Sequence, residues 1–218
     1  MLWIALALFF WWLIYREIKN PILNFYGFKQ AVSIPTSKAY LTLLFILALA
    51  CSWPPLHRWY FQHHLTIIAR QLSQNPMAKV HCNTLFDTLF DEDVGVAGHA
   101  ELKKGYIVIQ YPRCSLLMDY IKHPNQASIE ELISLNVLTH ESMHVRGEDN
   151  EAKTECQAVQ RNFRTARLLG IPEMTAKRNA IDYYKQVYLK RHDSYFSADC
   201  APGKALDEQL IDSTWLDY

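Results

Sequence analysis

Two histidines and a glutamate near the middle of the chain have the spacing of a metal site on a helix. His140, Glu141 and His144 form the pattern H-E-x-x-H. Residues four apart on a helix lie about 6 Å from each other on one face, so both imidazoles can bind one ion. Glu141 points about 100° away from His140 and can reach a water on the metal rather than the metal itself. The pattern therefore predicts a metal site with a carboxylate as general base.

A further carboxylate follows a few residues later. Residues 150–155 read N-E-x-x-T-E, which offers the ligand that a two-histidine site still lacks. A catalytic zinc ion takes three protein ligands and keeps a fourth position open for water, whose pKa it lowers toward neutrality. The two patterns together predict Zn²⁺ as the cofactor.

The two patterns resemble those of the gluzincin metallopeptidases, in which H-E-x-x-H on one helix is followed by N-E-x-x-S-D on another. The resemblance implies that His140 and His144 bind zinc and that Glu141 is the catalytic base. It also implies that Glu151 is the third ligand and that Glu155, one turn further, orients a ligating imidazole. The substrate would then be a peptide or protein.

The resemblance covers about residues 128–156, and the link from His144 to Glu151 is much shorter than in the larger gluzincins. A metzincin pattern is the alternative, because Gly147 has the position of the metzincin glycine. Its third ligand would be Asn150, which is a poor zinc ligand. The segment is also similar to small bacterial membrane-anchored proteins in which H-E-S-x-H precedes E-A-x-x-E-C.

The elements that must position these residues are two consecutive helices. Ser128 opens an S-x-x-E capping box, and Gly147 can end the first helix in a left-handed conformation. Asp149 or Asn150 can cap the second helix. A hairpin of this kind would bring Glu151 back beside the two histidines.

The N-terminal part of the chain is predicted to be a membrane anchor. Met1–Tyr15 and Tyr40–Trp53 are apolar runs, and the second is followed by Pro54-Pro55. Each is shorter than the roughly 20 residues of a comfortable span, so flanking residues must contribute. We expect two transmembrane helices within residues 1–56 and the metal-binding domain in 57–218. The alternative is that one run is an interfacial or core helix.

The charge of the intervening loop predicts the orientation. Arg16, Lys19, Lys29 and Lys38 are opposed only by Glu17, so the loop should be cytoplasmic and the metal site extracytoplasmic. The chain as a whole has 22 basic and 22 acidic residues, which implies no nucleic-acid partner.

Cysteine usage agrees with an extracytoplasmic domain. Cys51 lies in the second apolar run, and four cysteines follow that could form two disulfides. They are Cys82, Cys114, Cys156 and Cys200. The sequence does not choose among their three pairings. Free buried thiols, or a sulfur ligand from Cys156, are the alternatives.

The domain beyond the anchor is predicted to be α+β, small, mainly helical and zincin-like, with a short β-hairpin. A helix over 58–74 should continue from the membrane, and strands over 94–102 and 105–111 form the hairpin. The second strand could border the cleft and pair with an extended substrate, or be an ordinary buried strand. A third helix is predicted over 172–191, and 192–218 shows no clear element.

Hydrolysis would need a donor for the transition-state oxyanion. The candidates on or after the third helix are Tyr183, Tyr184, Tyr188 and His192. The sequence thus predicts a membrane-anchored zinc peptidase. A membrane-anchored metal-binding or sensor protein without peptidase activity is the alternative.

Overall fold

A computed structural model of the protein describes residues 2–19, 38–90, 95–102 and 104–215. The chain divides into two compact units, Met1–Phe61 and Gln62–Tyr218, each of which is described by itself. Most of the basic loop predicted to be cytoplasmic lies outside the described residues, as do Val94 and Lys103 of the predicted hairpin.

The first unit contains α1 (Leu2–Lys19) and most of α2 (Lys38–Ser73). Within the described ranges, α2 alone is long and apolar enough to cross a membrane. The 18 residues of α1 span about 27 Å, less than the roughly 30 Å hydrocarbon core. Its last turn also carries Arg16, Glu17 and Lys19. Two membrane helices were predicted, and the described residues contain one candidate.

Pro54 and Pro55 lie inside α2, although the sequence predicted that they close the apolar run. Proline fixes φ near its helical value, and its cost is a lost N–H donor and a steric conflict one turn back. The helix nevertheless continues through both prolines to Ser73. The separate helix predicted over 58–74 is consequently the second half of α2.

The described residues of the second unit contain a small sheet and five further α-helices. The strands are β1 (Lys79–Cys82), β2 (Gly98–Glu101) and β3 (Tyr106–Ile109). Their order is β1-β3-β2, with β1 parallel and β2 antiparallel to β3. The described fold is thus mostly helical with a small sheet, which agrees with the predicted α+β class.

The predicted hairpin is present, but it is part of a larger sheet than expected. Ala100 of β2 lies opposite Ile107 of β3, and Val80 of β1 lies opposite the same residue on the other side. β1 has no counterpart among the predicted strands. Four residues are too few to show a period, and the partner of this strand is 27 residues away in the chain.

The helices pack around one central helix, α5. They are α3 (Leu85–Leu89), α4 (Arg113–Lys122), α5 (Ile129–Arg146), α6 (Glu151–Leu168) and α7 (Glu173–Gln186). Of the side chains between Leu132 and Val145, all but Ile133 are buried. Helices α4, α6 and α7 and strands β2 and β3 contact α5. The third predicted helix is shorter than expected, because α7 ends at Gln186 before a short 3₁₀ turn.

The hairpin of α5 and α6 has the predicted caps. Ser128 and Glu131 form a reciprocal capping box at the start of α5. Gly147 ends α5 with φ of 116°, a left-handed conformation that favours glycine. The Asn150 side chain accepts the Lys153 N–H at 3.0 Å and caps α6. The two predicted helices and their tight turn are confirmed.

The four cysteines of the second unit form two disulfides, as predicted. Cys82 at the end of β1 pairs with Cys114 in α4, and Cys156 in α6 pairs with Cys200. Cys51 is free and buried. Since Cys156 is bonded to another sulfur, it is not available as a metal ligand.

The segment after α7 is fastened along α6. Within the described residues it contains turns and a 3₁₀ turn but no α-helix or strand. Besides the disulfide of Cys200, Glu208 forms an ion pair with the buried Arg161, and Asp212 forms one with Arg164. Thr214 donates a hydrogen bond to the Val159 carbonyl. These contacts hold an otherwise irregular segment close to the centre of the unit.

Candidate metal centre

The α5–α6 hairpin brings the three predicted ligands together. His140 and His144 are one turn apart on α5, and Glu151 is the first residue of α6. One ligand atom from each lies within 4.8 Å of the other two, so the group could hold a metal ion. Both histidines are buried and Glu151 is half-buried. The short turn therefore suffices to return a carboxylate to the histidine pair.

The distances within this group fit tetrahedral coordination. The two Nε2 atoms of His140 and His144 are 3.1 Å apart. Oε2 of Glu151 lies 3.1 Å from the first and 3.4 Å from the second. Ligand atoms at about 2.0 Å from a tetrahedral zinc ion are separated by roughly 3.3 Å. The three atoms thus have the spacing of one face of such a tetrahedron.

In each histidine ring the partner of Nδ1 leaves Nε2 free to bind a metal ion. His144 Nδ1 lies 2.7 Å from the Glu148 carbonyl oxygen, which can only accept, so His144 carries its proton there. His140 Nδ1 likewise faces a carboxylate oxygen of Glu155 at 2.9 Å. Both Nε2 lone pairs and a carboxylate oxygen of Glu151 then converge. Such a cluster of acceptors is stabilised by a positive charge between its members, which a metal ion or a proton can supply.

Glu155 is the centre of a buried hydrogen-bond network behind His140. Tyr183 donates its hydroxyl to Glu155 at 2.7 Å, and the Asn136 amide donates at 3.0 and 3.1 Å. Asn136 is itself held by the amide of Asn162. Burial alone would raise the pKa of Glu155, but the hydrogen bonds from His140 and Tyr183 lower it. Glu155 is thus a buried carboxylate that orients His140.

Glu141 lies beside the ligands but is not one of them. It is 6% exposed, and none of the described residues forms a hydrogen bond with its carboxylate. Burial raises the pKa of Glu141 to about 7, an effect that His140 opposes and that Glu151 and Glu155 reinforce. A carboxylate in this position can exchange a proton near neutral pH.

The centre opens into two adjoining cavities of about 310 and 290 Å³. Both are lined by His140, Glu141 and Gly98, and the larger also by Ile133 and Arg191. An extended molecule could therefore lie along the centre with one part in each cavity.

Strand β2, not the predicted β3, borders this cleft. β3 has a neighbour on each side, whereas β2 is the edge of the sheet. The Gln110 N–H donates to the Ala97 carbonyl, so in the antiparallel ladder Gly98 and Ala100 direct their backbone groups away from β3. A side chain on Gly98 would lie 2.9 Å from a Val137 methyl group and from a β3 carbonyl. Glycine therefore allows β2 to approach α5 closely.

The four predicted oxyanion donors lie elsewhere or are engaged. Tyr183 donates to Glu155, and the Tyr188 hydroxyl donates to the Ser197 carbonyl. The ring of Tyr184 packs on Trp215, and His192 is exposed outside both cavities.

Tyr195, which the sequence did not single out, is the tyrosine that lies beside His140. Its ring centroid is 5.5 Å from that of His140, and it lines both cavities. Burial, with the charges of Glu151 and Glu141, raises the pKa of Tyr195, so its hydroxyl keeps the proton that a donor needs. No local pattern marks this residue, because the irregular segment reaches the site through contacts with other parts of the chain, among them those of Tyr188 with Phe196 and Ser197.

Asn150, the ligand in the metzincin alternative, is exposed and used as a helix cap. His99 lines the smaller cavity. The sequence did not single it out, because no other candidate metal ligand lies at a suitable spacing from it.

Comparison with known proteins finds no matching family model, no matching curated protein and no matching solved structure. The function of the chain must therefore follow from the geometry of the site.

Proposed function

We propose that this protein is a membrane-anchored zinc metallopeptidase. The proposal is carried by one observation. Three candidate ligand atoms converge, and the buried carboxylate of Glu141 lies beside them without being one of the ligands. Two imidazoles and one carboxylate suit zinc better than magnesium or calcium, which prefer oxygen ligands. In a purely structural metal site the protein fills all coordination positions of the metal, and a general base beside an open position has no role.

The residues of the chain account for the proton transfers of peptide hydrolysis. When bound, zinc would supply a Lewis acid that makes water nucleophilic at neutral pH. Glu141 accepts the proton of the attacking water and delivers it to the departing amine. Tyr195, whose ring stands over His140, is our candidate for the hydrogen bond to the oxygen of the scissile carbonyl.

The edge of the sheet suits an extended peptide. Gly98 and Ala100 offer backbone donors and acceptors along the cleft wall, which is the arrangement required for β-augmentation. A substrate bound in this way would cross the two cavities with its scissile bond near Glu141. The substrate would therefore pair with β2 and not with β3, the strand that the sequence suggested.

We place the protein in a membrane through α2, with the metal-binding unit extracytoplasmic. Support for that side comes from the two disulfides, which persist in oxidising compartments. A second crossing by α1, with Arg16 and Lys19 of its last turn on the cytoplasmic side, belongs to the same proposal. Protease added to intact cells should remove the metal-binding unit. Protection of that unit would invert the orientation.

A comparison of three full-length proteins tests the peptidase proposal. Wild type, Glu141→Gln and the control Glu173→Gln are purified in detergent and assayed for zinc content and for cleavage of a mixed peptide library. Glu173 is an exposed residue of α7 whose carboxylate lies 3.7 Å from Arg167, so its replacement should change neither property. Glu141→Gln should keep zinc and lose cleavage by about 100-fold or more.

The outcomes separate the proposal from a non-catalytic role. Zinc bound by wild type without cleavage of any library peptide would favour a metal-binding or sensor protein. Cleavage by Glu141→Gln at the wild-type rate would overturn the role of the base.

A further inference from the structure

Helix α3 exposes its apolar side chains, whereas its half-buried Thr88 is turned toward the rest of the unit. Leu85, Phe86, Leu89 and Phe90 occupy positions i, i+1, i+4 and i+5, which fall within an arc of about 140° on a helix. All four are exposed, with Phe86 at 71% and Phe90 at 85%. In a globular protein the apolar face of a helix normally faces the core.

This orientation is fixed by hydrogen bonds from the other face. The Thr88 hydroxyl donates to the Gln110 side chain at 2.9 Å and accepts the Tyr111 N–H at 3.0 Å. Asp87 and Thr84 form a capping box at the start of the helix. The capping box turns with the helix, but the Thr88 hydroxyl binds groups outside it, so α3 cannot rotate its leucines and phenylalanines inward without breaking the bonds to Gln110 and Tyr111.

We propose that the apolar face of α3 inserts into the lipid bilayer, as a second membrane contact besides α2. The proposal rests on the membrane location proposed above. Gln62 follows directly on the unit that contains most of the candidate span. The second unit is therefore covalently held at the bilayer, where a compact group of exposed leucines and phenylalanines has an apolar phase within reach.

The charges around α3 indicate which lipid surface it would enter. Residues 84–90 contain one charged side chain, Asp87, which caps its own helix. The next three residues, Asp91, Glu92 and Asp93, are acidic. This part of the chain offers no attraction to anionic head groups, so insertion should depend on apolar contact, proceed in zwitterionic lipid and be insensitive to salt.

The contact would also place the cleft near the bilayer. Thr88 binds Gln110, whose N–H donates to the Ala97 carbonyl, and Ala97 lines the larger cavity. α3 is thus separated from the cleft wall by the width of one strand. Insertion of α3 would hold the cleft close to the lipid surface.

Photochemical crosslinking to lipid tests this contact. The photoreactive residue p-benzoylphenylalanine replaces Phe86, Phe90 or Ile211 in the full chain, reconstituted in vesicles of isotope-labelled phosphatidylcholine. Ile211 is the control, because it is an equally exposed apolar residue, at 89%, in the same unit. We expect lipid adducts at positions 86 and 90, unchanged at high salt, and only background at 211.

Each other outcome counts against the contact. Crosslinks between two copies of the chain at 86 or 90 would assign the face to self-association. Equal adducts at 86, 90 and 211 would show non-specific exposure to lipid. Flotation of the chain with vesicles but no adduct would overturn the α3 contact alone, whereas failure to float would overturn the membrane location with it. Cleavage activity is measured separately and does not enter this test.

Discussion

The carboxylate of Glu155 lies 2.9 Å from Nδ1 of His140 and holds that ring with its other nitrogen toward Glu151. Both glutamates belong to α6, one turn apart, so a single helix supplies a candidate ligand and the group that orients another candidate ligand. The position of α6 against α5 would thereby determine the geometry of a bound metal ion. The buried network of Asn136, Asn162 and Tyr183 fixes that position.

The two α6 glutamates should differ in their effect on metal content. Glu151→Gln replaces a charged ligand by a weak neutral one, so most of the zinc should be lost. Glu155→Gln keeps all three ligands but removes the orienting charge, for which losses of about 10–100-fold in affinity or activity are typical. Zinc per protein and a chelator competition on the purified variants measure both effects. Glu173→Gln again serves as the control.

Two results would contradict this assignment. Full zinc in Glu151→Gln with a metal-free Glu155→Gln would move the third ligand to Glu155. Full zinc content and full activity in both variants would show that neither glutamate of α6 belongs to the metal site.

The part of the structure that the sequence predicted is the part built from local signals. Ser128, Gly147 and Asn150 mark the ends of α5 and α6 within a few residues of each cap. The ligand spacing follows from one helix and one short turn. That is why His140 and Glu151 could be placed without knowledge of the rest of the fold.

The features that were missed depend on contacts between distant parts of the chain. β1 exists because β3 pairs with it, and Tyr195 reaches the site because Cys200 and Glu208 fasten its segment to α6. The edge position of β2 likewise follows from the strand order and not from its composition. Neither periodicity nor turn residues report such pairings.

The metal-free protein should lose stability as the pH rises. Burial raises the pKa of Glu141 to about 7. Burial would lower the pKa of His140, but the hydrogen bond and charge of Glu155 raise it above its ordinary value. A group whose pKa is raised on folding stabilises fully below its unfolded pKa, and that contribution is lost as the pH rises through its folded pKa. For Glu141 and His140 together, the loss of stability begins above about pH 4.5 and continues past neutrality.

Thermal melting of the chelator-treated full chain in detergent measures this effect. The melting temperature should fall between about pH 5 and pH 8. Glu141→Gln removes one of the two contributions, so its melting temperature should fall less over the same range. A melting temperature that rises with pH in the wild type would show that the histidine and glutamate are not protonated together on folding.

Tyr195→Phe should reduce turnover without releasing the metal. The hydroxyl is the only group removed, and the ring can still pack against His140 and Arg191. Loss of one oxyanion donor typically costs about 100-fold in kcat. Tyr184→Phe is the matched control, since that ring packs on Tyr188 and Trp215, away from both cavities. Equal kcat in the two variants would exclude Tyr195 as the donor.

Gly98→Ala should weaken both the fold and the cleft. The new methyl group would lie 2.9 Å from the Val108 carbonyl oxygen and from a Val137 methyl, and 3.4 Å from the side chain of Glu141. Overpacking of this kind typically costs about 1–3 kcal/mol. We expect a lower melting temperature and a lower kcat/KM, because β2 must move away from α5 and Glu141 lies at that contact.

The double variant Gly98→Ala, Val137→Ala distinguishes this crowding from a general effect of the substitution. Removal of the Val137 methyl relieves the contact with the α5 side chain but leaves the one with the backbone of β3. The double variant should therefore be more stable than the sum of the two single changes predicts. Simple additivity of the two melting shifts would mean that Gly98 and Val137 do not press on each other. The close approach of β2 to α5 would then have another cause.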